Sequence, residues 1–364
     1  KADWVVEAIN ENEADKMDLY DRIVPYLKPD AILSTNTSSI PIRVLGSRLP
    51  PHVQERFIGT HFFNPPHIMK LLELIPGEHT KEEVTRFISA YGKKVLGKEI
   101  ITSKDVVGFI PNRLNGQIQS QVLYALENGT FLLPNPVEMF DYIFSTLGKG
   151  GRILQTVDRI GIYTRLDVGD ELYRRTQEED THGLPTVLEM PRLLHRMKTA
   201  ERKGMKNGRG FFSNYQRGRP GLVVQLHDLD YVELVKYGQP KGHSIYSVQQ
   251  ALDQDDPGQR ARIMFGVGKD EKSFDHGILV WRPVMLSHMM YAANVVDKIS
   301  YSMKDLDIGM KFGLNRNIGP FEMMEAIGVG NVIHAAGEVG MNIPQWLQNV
   351  ADQGISVYQG NPYQ

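Results

Sequence analysis

From Trp4 to about Lys104 the chain alternates short apolar runs with longer stretches whose apolar positions recur every three or four residues. Trp4-Val5-Val6-Glu7-Ala8-Ile9 has the apolar density of a buried strand, and Ala31–Ser34, Phe57–Phe63, Leu71–Ile75 and Glu99–Thr102 read the same way. Between them Ala14–Leu27, a stretch near Ile40–Leu49 and Lys81–Val95 carry helical spacing. Ser39, before Ile40-Pro41, suits an N-cap, and Thr80 is the expected N-cap of the last helix. The rhythm is that of a parallel sheet with helices on its faces, an α/β region.

After Asp105-Val106-Val107-Gly108-Phe109 the pattern turns helical, through Ile110–Leu126, Val137–Leu147, Arg152–Ile162 and Asp167–Gln177. A Gly-rich close at Gly204–Tyr215 leads to Gly218-Arg219-Pro220-Gly221, the expected linker. Beyond it lie two alternating stretches, Leu222–Leu229 and Tyr231–Lys236, then helices from about Pro283. A helix, a short polar break and an apolar helix ending Ile-Gly-apolar occur twice, from Leu147-Gly148 to Ile160-Gly161-Ile162 and from Phe312-Gly313 to Ile327-Gly328-Val329. This order predicts a duplicated helical unit.

Composition narrows the chemistry. A formal net charge of -2 over 364 residues gives no global pull toward nucleic acid or anionic membrane. With no cysteine, thiolate nucleophiles, disulfides and cysteine metal sites are excluded, which is compatible with the reducing cytoplasm, where the protein is expected. No apolar run reaches the ~20 residues of a membrane span. The basic run Arg192–Arg209 lacks interleaved aromatics for base stacking and reads as a solvated helix face, so no nucleic-acid partner is expected. The histidines show no metal spacing, His182 and His195 included, so no metal is expected.

In an open parallel sheet ligands bind at the carboxyl ends of strands. Three such ends are polar: Asn10-Glu11-Asn12, Ser34-Thr35-Asn36-Thr37-Ser38-Ser39, and the end of Phe57–Phe63, which carries His61 and Asn64. Singly, His61 reads as a core histidine and Glu73 as a solvent-facing strand carboxylate. Together they say more. A Pro65-Pro66 turn can return Glu73 toward His61, so that the carboxylate orients one ring nitrogen while the other acts as base.

Val5-Val6-Glu7-Ala8-Ile9, Ser34–Ser39, His61-Phe62-Phe63-Asn64-Pro65 with Met69-Lys70-Leu71 and Glu73, and Gly108-Phe109-Ile110-Pro111-Asn112-Arg113 resemble, in order, the signature of the 3-hydroxyacyl-CoA dehydrogenase family. The resemblance continues through Gly204-Met205-Lys206-Asn207-Gly208-Arg209-Gly210-Phe211-Phe212 to Ile318-Gly319-Pro320-Phe321-Glu322, Ala326-Ile327-Gly328 and Pro344-Gln345-Trp346. That last part is similar to the long bacterial fatty-acid oxidation proteins, in which the helical domain is duplicated and a hydratase-like domain follows. The implied fold is α/β followed by mostly α. Residues 1–104 would be the remainder of a Rossmann-type NAD-binding domain, 105–217 a first helical domain, and 218–364 a second with a short β-containing insertion.

The resemblance implies NAD-dependent interconversion of (3S)-3-hydroxyacyl-CoA and 3-oxoacyl-CoA, the oxidative step of β-oxidation, in a cleft between domains, with acyl-CoA as partner substrate. His61 would be the general base and Glu73 its orienting carboxylate. Ser38 and Asn112 would hold the reacting oxygen. Glu11, Lys16, Asn64 and Lys206 match positions that contact NAD in the family, with Ser38 shared; for Lys16 and Lys206 the bland alternative is an exposed lysine. A homo-oligomer is left open.

Departures accompany the match. Val107 stands where the family usually has proline, Pro66-His67 and Pro111 are unusual beside their motifs, and Lys149–Gln155 replaces the Gly-Pro-Phe element kept at Gly319–Phe321. No Gly-x-Gly-x-x-Gly loop, the usual pyrophosphate cradle, precedes Trp4. The chain is therefore expected to be part of a longer protein. The alternative reading is a non-catalytic acyl-CoA-binding or assembly fragment of such a protein.

Overall fold

The computed structural model describes residues 2–128, 136–179, 189–215, 221–226, 228–233 and 245–363. The chain divides into two compact units, Lys1–Arg113 with Val295–Leu314 and Leu114–Asn294 with Asn315–Gln364.

The first unit is built on a five-stranded sheet whose order follows the chain: β1 (Trp4–Glu7), β2 (Ile32–Thr35), β3 (Phe57–Phe62), β4 (Leu71–Pro76) and β5 (Glu99–Thr102). Every neighbouring pair is parallel except β3 and β4. The connection between those two is too short for a crossover, so the chain reverses and His61 pairs directly with Glu73.

Strand alternation then sorts the side chains. Leu33, Phe57 and Ile75 share one face with Tyr20 of α1 (Glu13–Ile23), Leu45 of α2 (Ile42–Gly46), Val53 of α3 (Pro51–Gln54) and Phe109. Ile32, Ile58, Leu72 and Leu74 pack on the other, against Val84 and Ile88 of α4 (Glu82–Lys94). By the same period of two, His61 and Glu73 fall in line with Phe57 and Ile75.

Two expected caps are corrected. Ser39 does not cap α2: its amide and hydroxyl donate to Glu11 Oε1 at 3.0 and 3.2 Å. The Asp105 carboxylate caps α2 instead, accepting from the amides of Ile42 (2.6 Å) and Arg43 (2.7 Å). Nor does Thr80 cap α4, whose N-cap is Lys81. The Thr80 hydroxyl accepts from Gly77 N at 2.8 Å and donates to Phe57 O at 2.5 Å. In both places a hydroxyl meets a competing partner that the fold brings from far along the chain, Glu11 for Ser39 and the Phe57 carbonyl for Thr80, and leaves the helix end.

The helix α5 (Pro111–Glu127) starts in the first unit. Far along the chain, the end of α12 (His276–Ile299), α13 (Met303–Ile308) and a π-helical turn at Gly309–Gly313 belong to this unit again. The amide of Lys104 donates to Ile299 O (2.9 Å) and that of Thr102 to Asp305 Oδ2 (3.3 Å), which ties the returning segment to β5.

The second unit is mostly helical. It contains α6 (Pro136–Phe144), α7 (Ile153–Ile160), α8 (Ile162–Glu179), α9 (Arg192–Thr199), α10 (Tyr246–Leu252), α11 (Pro257–Phe265), α14 (Pro320–Ile327), α15 (Val329–Glu338) and α16 (Gln345–Gln353). A small antiparallel sheet joins β6 (Phe212–Ser213), β7 (Leu222–Val224) and β8 (Tyr231–Glu233). The stretch expected to run to Leu229 stays a strand only to Val224, and Leu229 turns to φ +65°. Residues 218–220 of the expected linker, 234–236 of the second alternating stretch, and His182 lie outside the described residues.

The two similar stretches fold alike. Both α7 and α14 have eight residues and end on a glycine of similar conformation, Gly161 (φ 104°, ψ 133°) and Gly328 (φ 95°, ψ 121°), from which α8 and α15 begin. The sixth residue of each is an acid that accepts backbone amides from a later segment: Asp158 from Phe211 and Phe212, both at 2.8 Å, and Glu325 from Val357 at 2.8 Å. A Cβ at Gly210 would stand 2.1 Å from Asp158 Oδ1, so the Gly-rich close is a close approach of backbone to a carboxylate.

Burial pushes Asp158 up to about 7, against the amides of Phe212 and Phe211, and likewise lifts Asp141, which accepts from Leu154 N, to about 7. Both folded values lie above the unfolded carboxylate range. Their contribution to stability is therefore full below about pH 4 and is lost as pH rises to about 7. Asp158→Asn removes one of two amide acceptors, so urea denaturation is expected to show a loss of about 1–3 kcal/mol. It is also expected to show a smaller stability difference between about pH 5 and pH 7.5 than in the parent protein.

Candidate functional site

Glu73 has no exposed surface, and each oxygen of its carboxylate has a partner. Oε2 lies 2.9 Å from His61 Nδ1, and Oε1 accepts the Ile110 amide at 2.9 Å. The amide is aimed by two successive left-handed residues, Gly108 (φ 73°) and Phe109 (φ 49°). The first position suits glycine, whereas Phe109 holds a conformation that costs a β-carbon-bearing residue energy. The Phe63 and Phe109 rings flank His61 at centroid distances of 4.4 and 6.0 Å. His61 is 4% exposed, so the pair sits in a low-dielectric, nearly dry setting where a charge-assisted hydrogen bond is strong. A carboxylate only accepts, so Nδ1 carries the proton and leaves Nε2 as the ring's lone-pair nitrogen.

A second buried network organises the ends of β1 and β2. Glu7 accepts from Lys16 Nζ (2.8 Å) and Ile9 N (2.7 Å) on one oxygen and from Tyr20 (2.9 Å) and Thr35 (2.6 Å) on the other. Lys16 also reaches Glu11 at 3.4 Å. Glu11 Oε1 accepts from the Thr37 hydroxyl (2.6 Å) and the amides of Ser38 (2.7 Å) and Ser39 (3.0 Å). Burial pushes the Glu11 carboxyl up, but the Thr37 hydrogen bond, the Lys16 charge and those two amides together hold it below its usual range. The Ser38 loop is thus clamped by an acid. It is tied to the histidine strand as well, since Asn36 Oδ1 accepts from Phe62 N at 2.8 Å.

Asn112, in the first turn of α5, donates to Ser38 O at 3.1 Å, which brings those two expected site residues together. The bland readings of Glu73 as solvent-facing and of Lys16 as exposed do not hold: Lys16 is 1% exposed, between two carboxylates. Asn64 is exposed at the end of β3, where the Asn64–Pro65 peptide is cis. Lys206, in the second unit, is exposed, and its ammonium donates to Thr164 at 3.1 Å. Of the basic run, Arg202 is buried over the Tyr231 ring at 4.5 Å and donates to Gly210 O and Leu229 O, whereas Lys198 pairs with Asp167.

Sequence reading missed Glu7, Asn36 and Asp305. Glu7 shares a strand face with Val5, a parity that marked it as inward. Asp305 had no local signal. Burial, with the charge of Glu73 adding to it, pushes Asp305 up to about 6 despite its bond from the Thr102 amide. Among the described residues there is no cluster of metal-ligating side chains, and no helix is long and apolar enough to cross a membrane.

Lys16→Met leaves the buried Glu7 carboxylate without its cation, and an equilibrium urea titration is expected to show a loss of about 3–5 kcal/mol. Lys16→Arg, which restores the charge, is expected to recover part of it.

Residues 1–106 match the family description "3-hydroxyacyl-CoA dehydrogenase, NAD binding domain". A probable 3-hydroxyacyl-CoA dehydrogenase of Bacillus subtilis is 27% identical over 359 residues, covering 98% of this chain and 43% of the relative. The chain spans less than half the length of the first curated relatives it matches. A probable 3-hydroxybutyryl-CoA dehydrogenase of Deinococcus radiodurans is 34% identical over 212 residues, 58% of this chain and 71% of that protein. In fold, the crystal structure of 3-hydroxybutyryl-CoA dehydrogenase from Escherichia coli superposes with a TM-score of 0.66 at 22% identity, over 97% of this chain and 82% of that one. With its signature motifs, its Rossmann-type sheet and a relative of this identity largely covered, the chain belongs to the 3-hydroxyacyl-CoA dehydrogenase family.

Proposed function

We propose that the protein oxidises a (3S)-3-hydroxyacyl-CoA to the 3-oxoacyl-CoA with NAD, in fatty-acid β-oxidation, with His61 as general base. The observation that carries this reading is the buried contact of His61 Nδ1 with Glu73 Oε2 at 2.9 Å. With Nδ1 protonated toward Glu73, Nε2 takes the substrate hydroxyl proton as the C3–O bond becomes a carbonyl. Bound NAD would supply the acceptor for the hydride leaving C3. Glu73 stabilises the imidazolium formed, and His61 then returns the proton to solvent. Ser38 and the Asn112 amide hold the reacting oxygen, and the Asn112–Ser38 contact supports a shared role.

The residues present fit the dinucleotide at one end. The polar loops after β1 and β2 stand at the carboxyl ends of parallel strands, where open α/β sheets bind ligands. Glu11 and Lys16 would shape that loop for Ser38, and Asn64 and Lys206 would add contacts to NAD. We also infer that 105–217 and 218–364 are two copies of one helical domain, supported by the matching turns at Gly161 and Gly328 and the matching acids Asp158 and Glu325. The chain covers 43% and 47% of the first two relatives, and the proposal includes a longer protein in which a hydratase-like domain follows.

His61→Gln is expected to lower the rate of NADH formation from 3-hydroxybutyryl-CoA by about 10²–10⁴-fold, the usual contribution of a general base. Calorimetric NAD affinity is expected to be unchanged. Equal turnover in the variant would refute the base assignment. Acyl-CoA binding without NAD binding or turnover in the parent would instead favour a non-catalytic acyl-CoA-binding role.

A further inference from the structure

The π-helical turn Gly309–Gly313 begins and ends on glycine, and at both glycines an added Cβ would meet neighbours of the His61–Glu73 pair. A Cβ on Gly313 would stand 2.7 Å from Leu71 Cδ2 and 3.2 Å from Phe63 Cε1. Phe63 is the ring nearest His61, and Leu71 lies two residues before Glu73 on the same face of β4. A Cβ on Gly309 would stand 3.1 Å from Pro111 Cγ and 3.5 Å from Ile110 Cγ2. Ile110 supplies the amide that holds Glu73, and Pro111 precedes Asn112. Leu71 has no exposed surface and Phe63 is 7% exposed, so neither can swing into solvent to admit an added methyl group.

We propose that this turn, about 240 residues distant in sequence, is a positioning element for the His61–Glu73 pair, and that Gly313 sets how closely Phe63 backs the imidazole. The inference rests on the catalytic reading of His61 for its rate effect but not for its geometric one. A π-turn places one extra residue in a helical turn and is often found at functional sites. Here it brings a side-chain-free position against both arms of the pair. A glycine with no steric neighbour would be free to vary. Gly313 is not: an added β-carbon must move Leu71, Phe63 or both, and a shift of the base by a fraction of an ångström is costly to a reaction that depends on alignment.

Gly313→Ala, Leu71→Val and the double variant separate positioning from packing, because valine lacks the δ-carbon that the added methyl meets first. Two quantities are read on the folded proteins: kcat and KM for 3-hydroxybutyryl-CoA with NAD, and the downfield ¹H resonance of the His61 Nδ1 proton, assigned by its loss in His61→Gln. The expected result is that Gly313→Ala moves or broadens that resonance and lowers kcat by about tenfold or more, with KM changed less than about twofold. Adding Leu71→Val restores both. If Gly313→Ala folds only in the Leu71→Val background and the resonance there matches that of Leu71→Val alone, the turn serves packing only and the inference is overturned. An unmoved resonance in folded Gly313→Ala, with or without a fall in kcat, overturns the inference. If the parent protein forms no NADH, the proposed reaction fails, and the resonance alone still decides whether the turn positions the pair.

Discussion

A carboxylate with no exposed surface must have its charge stabilised by the atoms around it, and at Glu73 this requirement organises the first unit. One oxygen faces the His61 ring and the other takes the Ile110 amide. An unsolvated carboxylate costs several kcal/mol even after relaxation, so loss of either partner is expensive. The antiparallel turn between β3 and β4, the left-handed pair Gly108-Phe109 and the start of α5 are the backbone features that bring those partners into place. The imidazole in turn has one nitrogen committed and one free, the arrangement a base needs.

The Glu7–Lys16–Glu11 network applies the same logic at the carboxyl ends of β1 and β2. Lys16 reads as a surface residue on a short amphipathic helix, yet it lies between two acids and lets Glu11 clamp the Ser38 loop through its backbone amides. Its role is then to hold the loop in shape, and any contact of Glu11 with NAD is made by a carboxylate already fixed from behind. Asn36 links the two networks by holding the amide of Phe62, next to His61.

Much of this was legible in the sequence where the relevant contacts are local. Strand density found all five strands of the main sheet, and the Pro65-Pro66 turn pointed to a return of Glu73 toward His61, whose register and distance the fold supplies. Turn and cap chemistry was less legible, since Ser39 and Thr80 each had a competing partner that only the folded chain supplies. Least legible were partners far apart in sequence. Asp105 caps a helix 63 residues earlier, and Asp305 meets Thr102 across 203 residues. Nothing in the helical periodicity of Met303–Ile308 marks it as part of the sheet unit, because periodicity reports which side of a helix is buried and not against what.

The central claim is that the Glu73 carboxylate makes His61 an effective base. Its most direct test is the kcat of Glu73→Gln measured beside its calorimetric affinity for NAD. The amide can still accept the Ile110 N–H, but it brings no charge to the imidazolium. The account predicts a fall in kcat of about a hundredfold with NAD affinity intact, in the range general-base catalysis supplies. A variant that turns over as fast as the parent protein would contradict it.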